Sequence, residues 1–89
     1  MERKSGEALR RDLSEAHTRI RIDERYRHYK GREYTVVGCV VIEATDEMGV
    51  LYRADYAELE GIVFLRPLQE FLSSVETDEG QMPRFALIS

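Results

Sequence analysis

Leu9, Leu13, Ala16 and Ile20 recur at spacings of four, three and four, which places them on one stripe of an α-helix running from Ser5 to about Arg21. Ser5 stands where an N-cap belongs, and Glu7 and Asp12 early with Arg19 and Arg21 late suit the helix dipole. After Arg25 the period changes to that of strands. Tyr34 to Ile42 is rich in β-branched residues, and Val50 to Tyr56 alternates Val50, Tyr52, Ala54 and Tyr56 against Leu51, Arg53 and Asp55. Ile62 to Arg66 is a third extended run, and Arg84 to Ile88, entered through Pro83, a last one. The intervening "KGRE", "TDEMG", "AELEG" and "TDEGQMP" read as turns. Pro67 pre-sets the backbone for a short helical turn over Leu68 to Leu72, with Phe71 and Leu72 plugging one end of the β-structure.

The pattern predicts a charged amphipathic helix over residues 1–24 and, over residues 25–89, about five short antiparallel strands forming a small barrel or sandwich. In the longest strand both faces are apolar. Simple alternation puts Tyr34, Val36, Val40 and Ile42 on one side and Val37, Cys39 and Val41 on the other. Something must then cover the outer face, and the helix stripe or a second subunit are the two candidates.

Composition narrows the class. A chain of 89 residues is one small domain, of a size that buries about 60% of the surface its unfolded form exposes. Charged residues make up 34%, of mixed sign, and no apolar run approaches the length of a membrane span. With no apolar signal-like segment near Met1, the expected location is the cytoplasm. Cys39, the single cysteine, sits among valines and reads as a buried, unreactive thiol. Net charge is −4 but unevenly spread: residues 1–32 hold ten cations and six carboxylates, residues 33–89 three and eleven. A nucleic-acid binder usually carries excess positive charge across the domain, so nucleic acid is not favoured as a partner; attraction between the two parts, within or between copies, is.

The candidate chemistry lies in "YRHYKGREYTVVG", residues 26–38. Tyr26, His28, Tyr29 and Lys30, with Arg25, Arg27, Arg32 and Tyr34, combine aromatic faces with cations, the means by which single strands and anionic groups are held. Tyr52, Tyr56 and Arg66 would join them along one groove, where tyrosines can also pack on an extended peptide. The simpler alternative is that strand alternation turns about half of these side chains into the core and leaves a solvated basic hairpin. Tyr26 and His28 should share one face, with Arg27 and Tyr29 on the other until the turn resets the register. Metal binding and cofactors are not expected: two histidines and one cysteine, widely spaced, match no zinc pattern, and no glycine-rich phosphate loop is present. No serine or cysteine nucleophile sits in a recognisable turn, so catalysis is not expected.

The order "YRHYKGREYTVVG", "LYRADY", "FLRPLQEF" and "MPRFALI" resembles domain-of-unknown-function family 1653, a group of small bacterial proteins. The resemblance covers roughly residues 25–88 and implies an SH3-like small β-barrel. It departs from the family's pattern at Ile42 to Thr45, where a His-Ser-Glu-Thr turn is usual, at Phe64, where tryptophan is usual, and at Asp55, where an apolar residue is usual. No catalytic residue follows from it. The leading expectation is a non-catalytic binding module for an anionic, nucleic-acid or peptide ligand. A structural or homodimerisation domain, joined through the helix and outer sheet face, is second, and an enzyme third.

Overall fold

The computed structural model describes residues 2–89, built in the order α1 (Gly6–Arg19), β1 (Arg25–His28), β2 (Glu33–Ile42), β3 (Glu47–Ala54), β4 (Val63–Pro67), α2 (Leu68–Phe71), β5 (Ser74–Thr77), β6 (Gly80–Pro83) and β7 (Phe85–Leu87). A single 3₁₀ turn, Ala57–Leu59, links β3 to β4. Five strands make one antiparallel sheet in the order β4-β3-β2-β1-β7, and β5 and β6 form a separate hairpin. The fold is thus mainly β with an N-terminal helix. The large sheet is not closed by hydrogen bonds, since β4 and β7 are its two edges. Those edges communicate through side chains instead: Phe71, which follows β4 on α2, stacks on Phe85 of β7 with centroids 4.2 Å apart and planes 7° from parallel.

Helix α1 forms much as its stripe requires. The Ser5 hydroxyl accepts from the Ala8 backbone N–H at 3.1 Å, and the helix ends where Ile20 turns extended. Ala16 and Ile20 are buried, and Leu9 and Leu13 pack against the same core. The chain before the helix is tied down by Asp46, whose buried carboxylate accepts from Arg3 Nε and Nη2 at 2.9 and 2.7 Å and from the Lys4 backbone N–H at 2.9 Å. The Arg3 hydrogen bond, followed by that from Lys4, holds the Asp46 carboxyl down to about 2.

One extra residue in β2 decides what each sheet face presents. Tyr34, Val36 and Cys39 stand opposite Ala54, Tyr52 and Val50, because the register shifts between Val36 and Gly38. Val37 is therefore a bulge, and beyond it every side chain changes face relative to simple alternation. Cys39 and Val41 join Tyr34 and Val36 inside, and Val40 and Ile42 turn outward. The helix packs on the inner set, with Ala16 and Ile20 in one cluster with Val36, Met48 and Val50. The expectation that it covers the outer face is thus corrected. That face keeps a half-exposed apolar patch of Val40, Ile42, Leu51, Val63 and Leu65, lying across Gly49, whose missing Cβ leaves room for Leu65 and Ile42. Among the described residues no helix is long and apolar enough to cross a membrane.

Candidate functional site

The inner face is covered by α1 at one end only. At the other end it is aromatic. Tyr34, Tyr52, Phe64 and Phe85 come from four different strands, and Phe71 from α2 completes a set of rings in mutual edge and stacked contact. Centroid separations of 4.2 to 6.4 Å are those at which such pairs attract. Strand alternation puts these positions on one side, and antiparallel register puts them in rows: Tyr52 beside Val36 and Phe64, and His28 beside Phe85.

Two of the expected contact residues belong to the core of this assembly. Tyr26 is buried, its ring edge-on to Phe71, and its hydroxyl accepts from the Arg21 backbone N–H at 3.0 Å. Tyr52 is buried as well, and its hydroxyl accepts from Arg66 Nε at 3.0 Å. Strand alternation buries both rings, and one hydrogen bond satisfies each hydroxyl. Both support the surface without presenting a ring to it.

The other five remain accessible and fall into two groups. His28 lies edge-on to Phe85 at 5.0 Å and carries Tyr29 tilted over it at 4.5 Å, with Lys30 Nζ 5.9 Å from the Tyr29 ring. Tyr29 stands in the turn after β1, which is how its ring reaches His28 and not the opposite face. On the same side, Arg66 holds its guanidinium 5.5 Å from the Phe85 ring centre and pairs with Glu70 at 2.6 Å. Tyr56 forms the second group. Its hydroxyl is 3.1 Å from that of Tyr34, its ring is edge-on to Tyr34, and the Arg32 guanidinium covers it at 4.7 Å. Tyr34 sits between the groups, within contact distance of Tyr56, Tyr52 and Phe85.

The electrostatics follow from this crowding of rings and cations. Burial, then Arg66, Arg84 and Lys30, hold the His28 imidazole below its usual range. Burial and then the Tyr56 hydroxyl push Tyr34 up to about 12. Cys39, half-buried in the inner row, has its thiol raised by burial. Arg84, expected as the first residue of the last strand, stands just before β7. Its Nε donates to the Ser73 hydroxyl at 3.1 Å, and its carbonyl accepts from the Tyr29 backbone N–H at 3.0 Å, which ties it to the turn after His28.

A separate groove of about 380 Å³ lies between α1, β3 and α2, lined by Lys4, Asp12, Glu15, Arg19, Met48 and Leu68. Lys4 is already paired with Asp12 at 2.8 Å, and the remaining charges are of mixed sign, so no ligand chemistry is singled out there.

Residues 24–87 match a family described as a protein of unknown function (DUF1653). A crystal structure of a DUF1653 protein from Bordetella bronchiseptica is similar, with a TM-score of 0.69 and 36% identity, covering 75% of this chain and 86% of that one. No curated protein matches. Helix α1 lies ahead of the matched region, whereas the aromatic end of the inner face lies within it.

Proposed function

This chain belongs to the DUF1653 family, and from that premise we propose that it is a non-catalytic binding module whose ligand surface is the aromatic, cation-rimmed end of the inner sheet face. The architecture suits an SH3-like frame, with the Phe71–Phe85 stack standing where a ladder would close a barrel. The observation that carries the proposal is the convergence of His28 and Arg66 on the Phe85 ring, at 5.0 and 5.5 Å, with Arg84 tied by its carbonyl to the turn after His28. Tyr29, Tyr34, Tyr56 and Phe64 lie only partly buried next to them. Rings fixed by a rigid sheet lose little freedom when a planar or extended ligand packs on them, and rim cations add attraction for negative charge. The accessible members of the surface are His28, Tyr29, Lys30, Tyr56 and Arg66; Tyr26 and Tyr52 hold it in place.

The test is an NMR titration of the full chain with nucleotides, short single-stranded oligonucleotides and acidic peptides at low and moderate salt. Shifts should concentrate at residues 28–34, 56, 64, 66 and 84 and weaken as salt rises. Shifts scattered over both sheet faces, or none, would remove the site.

A second reading, a homodimer, draws on the outer sheet face. Its apolar patch has no cover among the described residues, and the polar half of the same face balances Arg25, Arg27 and Arg53 against Glu33, Asp55 and Glu60. Two copies would meet there without net repulsion. Light scattering decides it: a dimer that Leu65→Glu dissociates supports this use of the face, and a monomer at every concentration excludes it.

A further inference from the structure

The rim of this face is not a diffuse collection of cations. Each basic group at the Phe85 end is held by its own hydrogen bonds. Arg66 uses Nε on the Tyr52 hydroxyl at 3.0 Å and Nη1 on Glu70 at 2.6 Å, and its Nη2 has no partner among the described residues. Arg84 uses Nε on Ser73 Oγ at 3.1 Å, and both of its terminal nitrogens are without partners among the described residues. His28 Nδ1 accepts from the Lys30 backbone N–H at 3.2 Å, which places the hydrogen of the neutral ring on Nε2, and that N–H is likewise unpaired there.

Three basic groups with unused donors therefore stand at this end of the face, two of them, His28 and Arg66, against the Phe85 ring. They are fixed from behind: Tyr52 and Glu70 set the Arg66 guanidinium plane, Ser73 sets that of Arg84, and the β1 turn sets the imidazole. The Arg66 side chain is 25% exposed, so its charge is partly stripped of water without being sealed off. The charged groups facing His28 are Lys30 from the turn after β1, Arg66 from β4 and Arg84 from the segment before β7. Glu70 is the carboxylate that offsets them, and it is committed to Arg66. In a protein of net charge −4, this corner holds a local excess of positive charge with its hydrogen-bonding capacity unfilled.

We infer that His28, Arg66 and Arg84 form an oxyanion subsite, which takes a phosphate or carboxylate group of whatever ligand packs on the neighbouring rings. The inference rests on the binding proposal for the same face and adds the chemical class of the ligand's charged end. Guanidinium groups with free terminal N–H atoms hold such oxygens at fixed angles, and bonds to an ionised acceptor are the stronger kind. An oxyanion at this point would also favour protonation of His28, converting the third donor from neutral to charged. Binding should therefore tighten as pH falls through the imidazole range.

The experiment follows the His28 ring by ¹H–¹³C NMR across pH in the full chain, in chloride, inorganic phosphate and acetate at matched ionic strength, with exposed His17 as internal control. Phosphate, acetate or both should raise the His28 midpoint by roughly half a unit, about a threefold preference for the charged ring. His17 should not move. The effective anion tells phosphate from carboxylate. Arg84→Gln should abolish the rise and Arg84→Lys should retain part of it, each with an unchanged amide spectrum elsewhere. If both anions leave His28 as chloride does, the subsite does not exist. A neutral aromatic probe, N-acetyl-tyrosinamide, then separates the two ideas: shifts at Tyr34 and Tyr56 would leave the binding face standing without an oxyanion subsite, and their absence would remove both.

Discussion

Where α1 crosses the inner sheet face, Ala16 and Ile20 meet Val36, Met48 and Val50, all apolar side chains, and Val36 and Val50 are 0% exposed. Where α2 and β7 cross the same face, Phe71 and Phe85 meet Tyr52, and the next layer out is His28 and Arg66. Both ends bury apolar side chains, but at the second the rings are met by polar groups: the Arg66 guanidinium lies 5.5 Å from the Phe85 centre and the Arg32 guanidinium 4.7 Å from that of Tyr56. Covering a sheet with an aliphatic helix finishes it. Covering it with aromatic residues, and rimming these with tyrosine hydroxyls, arginine guanidinium groups and an imidazole, leaves several rings partly exposed.

Substitutions at the two ends should separate structural from surface roles. Phe71→Ala is the most damaging, since a 1% exposed ring in contact with Tyr26, Tyr52 and Phe85 leaves a cavity costing about 3 to 5 kcal/mol. In a domain whose total stability is of the order of 5 to 15 kcal/mol, chemical denaturation should show it close to unfolding. Ile20→Ala at the helix-covered end should cost about 2 to 4 kcal/mol while leaving His28 and Tyr56 resonances in place. If those resonances moved as far as the helix signals, the two ends would be one unit. Tyr52→Phe keeps the ring and removes only the acceptor for Arg66, a loss of about 1 to 2 kcal/mol that should also loosen the guanidinium.

The Asp46 carboxylate offers a check in acid, well away from both ends. Its folded pKa of about 2 lies below the ordinary value, so the unfolded chain binds the proton first as pH falls. Its contribution is complete above about pH 4 and lost towards pH 2, and in Asp46→Asn the stability measured across that window should fall less steeply. The smallest effect is expected on the outer face. A Cβ at residue 49 would lie 2.6 Å from Leu65 Cδ1, the far end of a side chain 49% exposed and free to turn aside. Gly49→Ala should therefore cost under about 1 kcal/mol by thermal unfolding. A larger loss would mean that the outer patch is held rigidly, as in an interface.

Helix α1 and four strands of the main sheet stand close to where periodicity places them, because amphipathic spacing and β-branched runs are local signals. The β5–β6 hairpin is harder to read, since "SVETDEGQMP" is largely exposed and polar, and its pairing leaves little hydrophobic alternation. The bulge at Val37 has no signature at all: one valine among several moves Val40 and Ile42 out and Cys39 and Val41 in. For the proposed surface, the exposure of His28, Tyr29, Lys30, Tyr56 and Arg66 agrees with a pattern in which cations and rings cluster near one turn or alternate along one strand. Burial of Tyr26 and Tyr52 followed from which face packs, and that depends on the whole sheet. Arg84 entered only through the pairing of β7 with β1, a contact between distant parts of the chain.

Ring accessibility, measured by photo-CIDNP on the free 89-residue chain, tests most directly whether the aromatic end of the inner face is open. Polarisation should arise from Tyr29, Tyr56 and His28, with Tyr26 and Tyr52 silent. Silence from Tyr29 and Tyr56, or signals from Tyr26 and Tyr52 of equal strength, would mean that the rings are all core or all loose, and that no surface is held ready for a ligand.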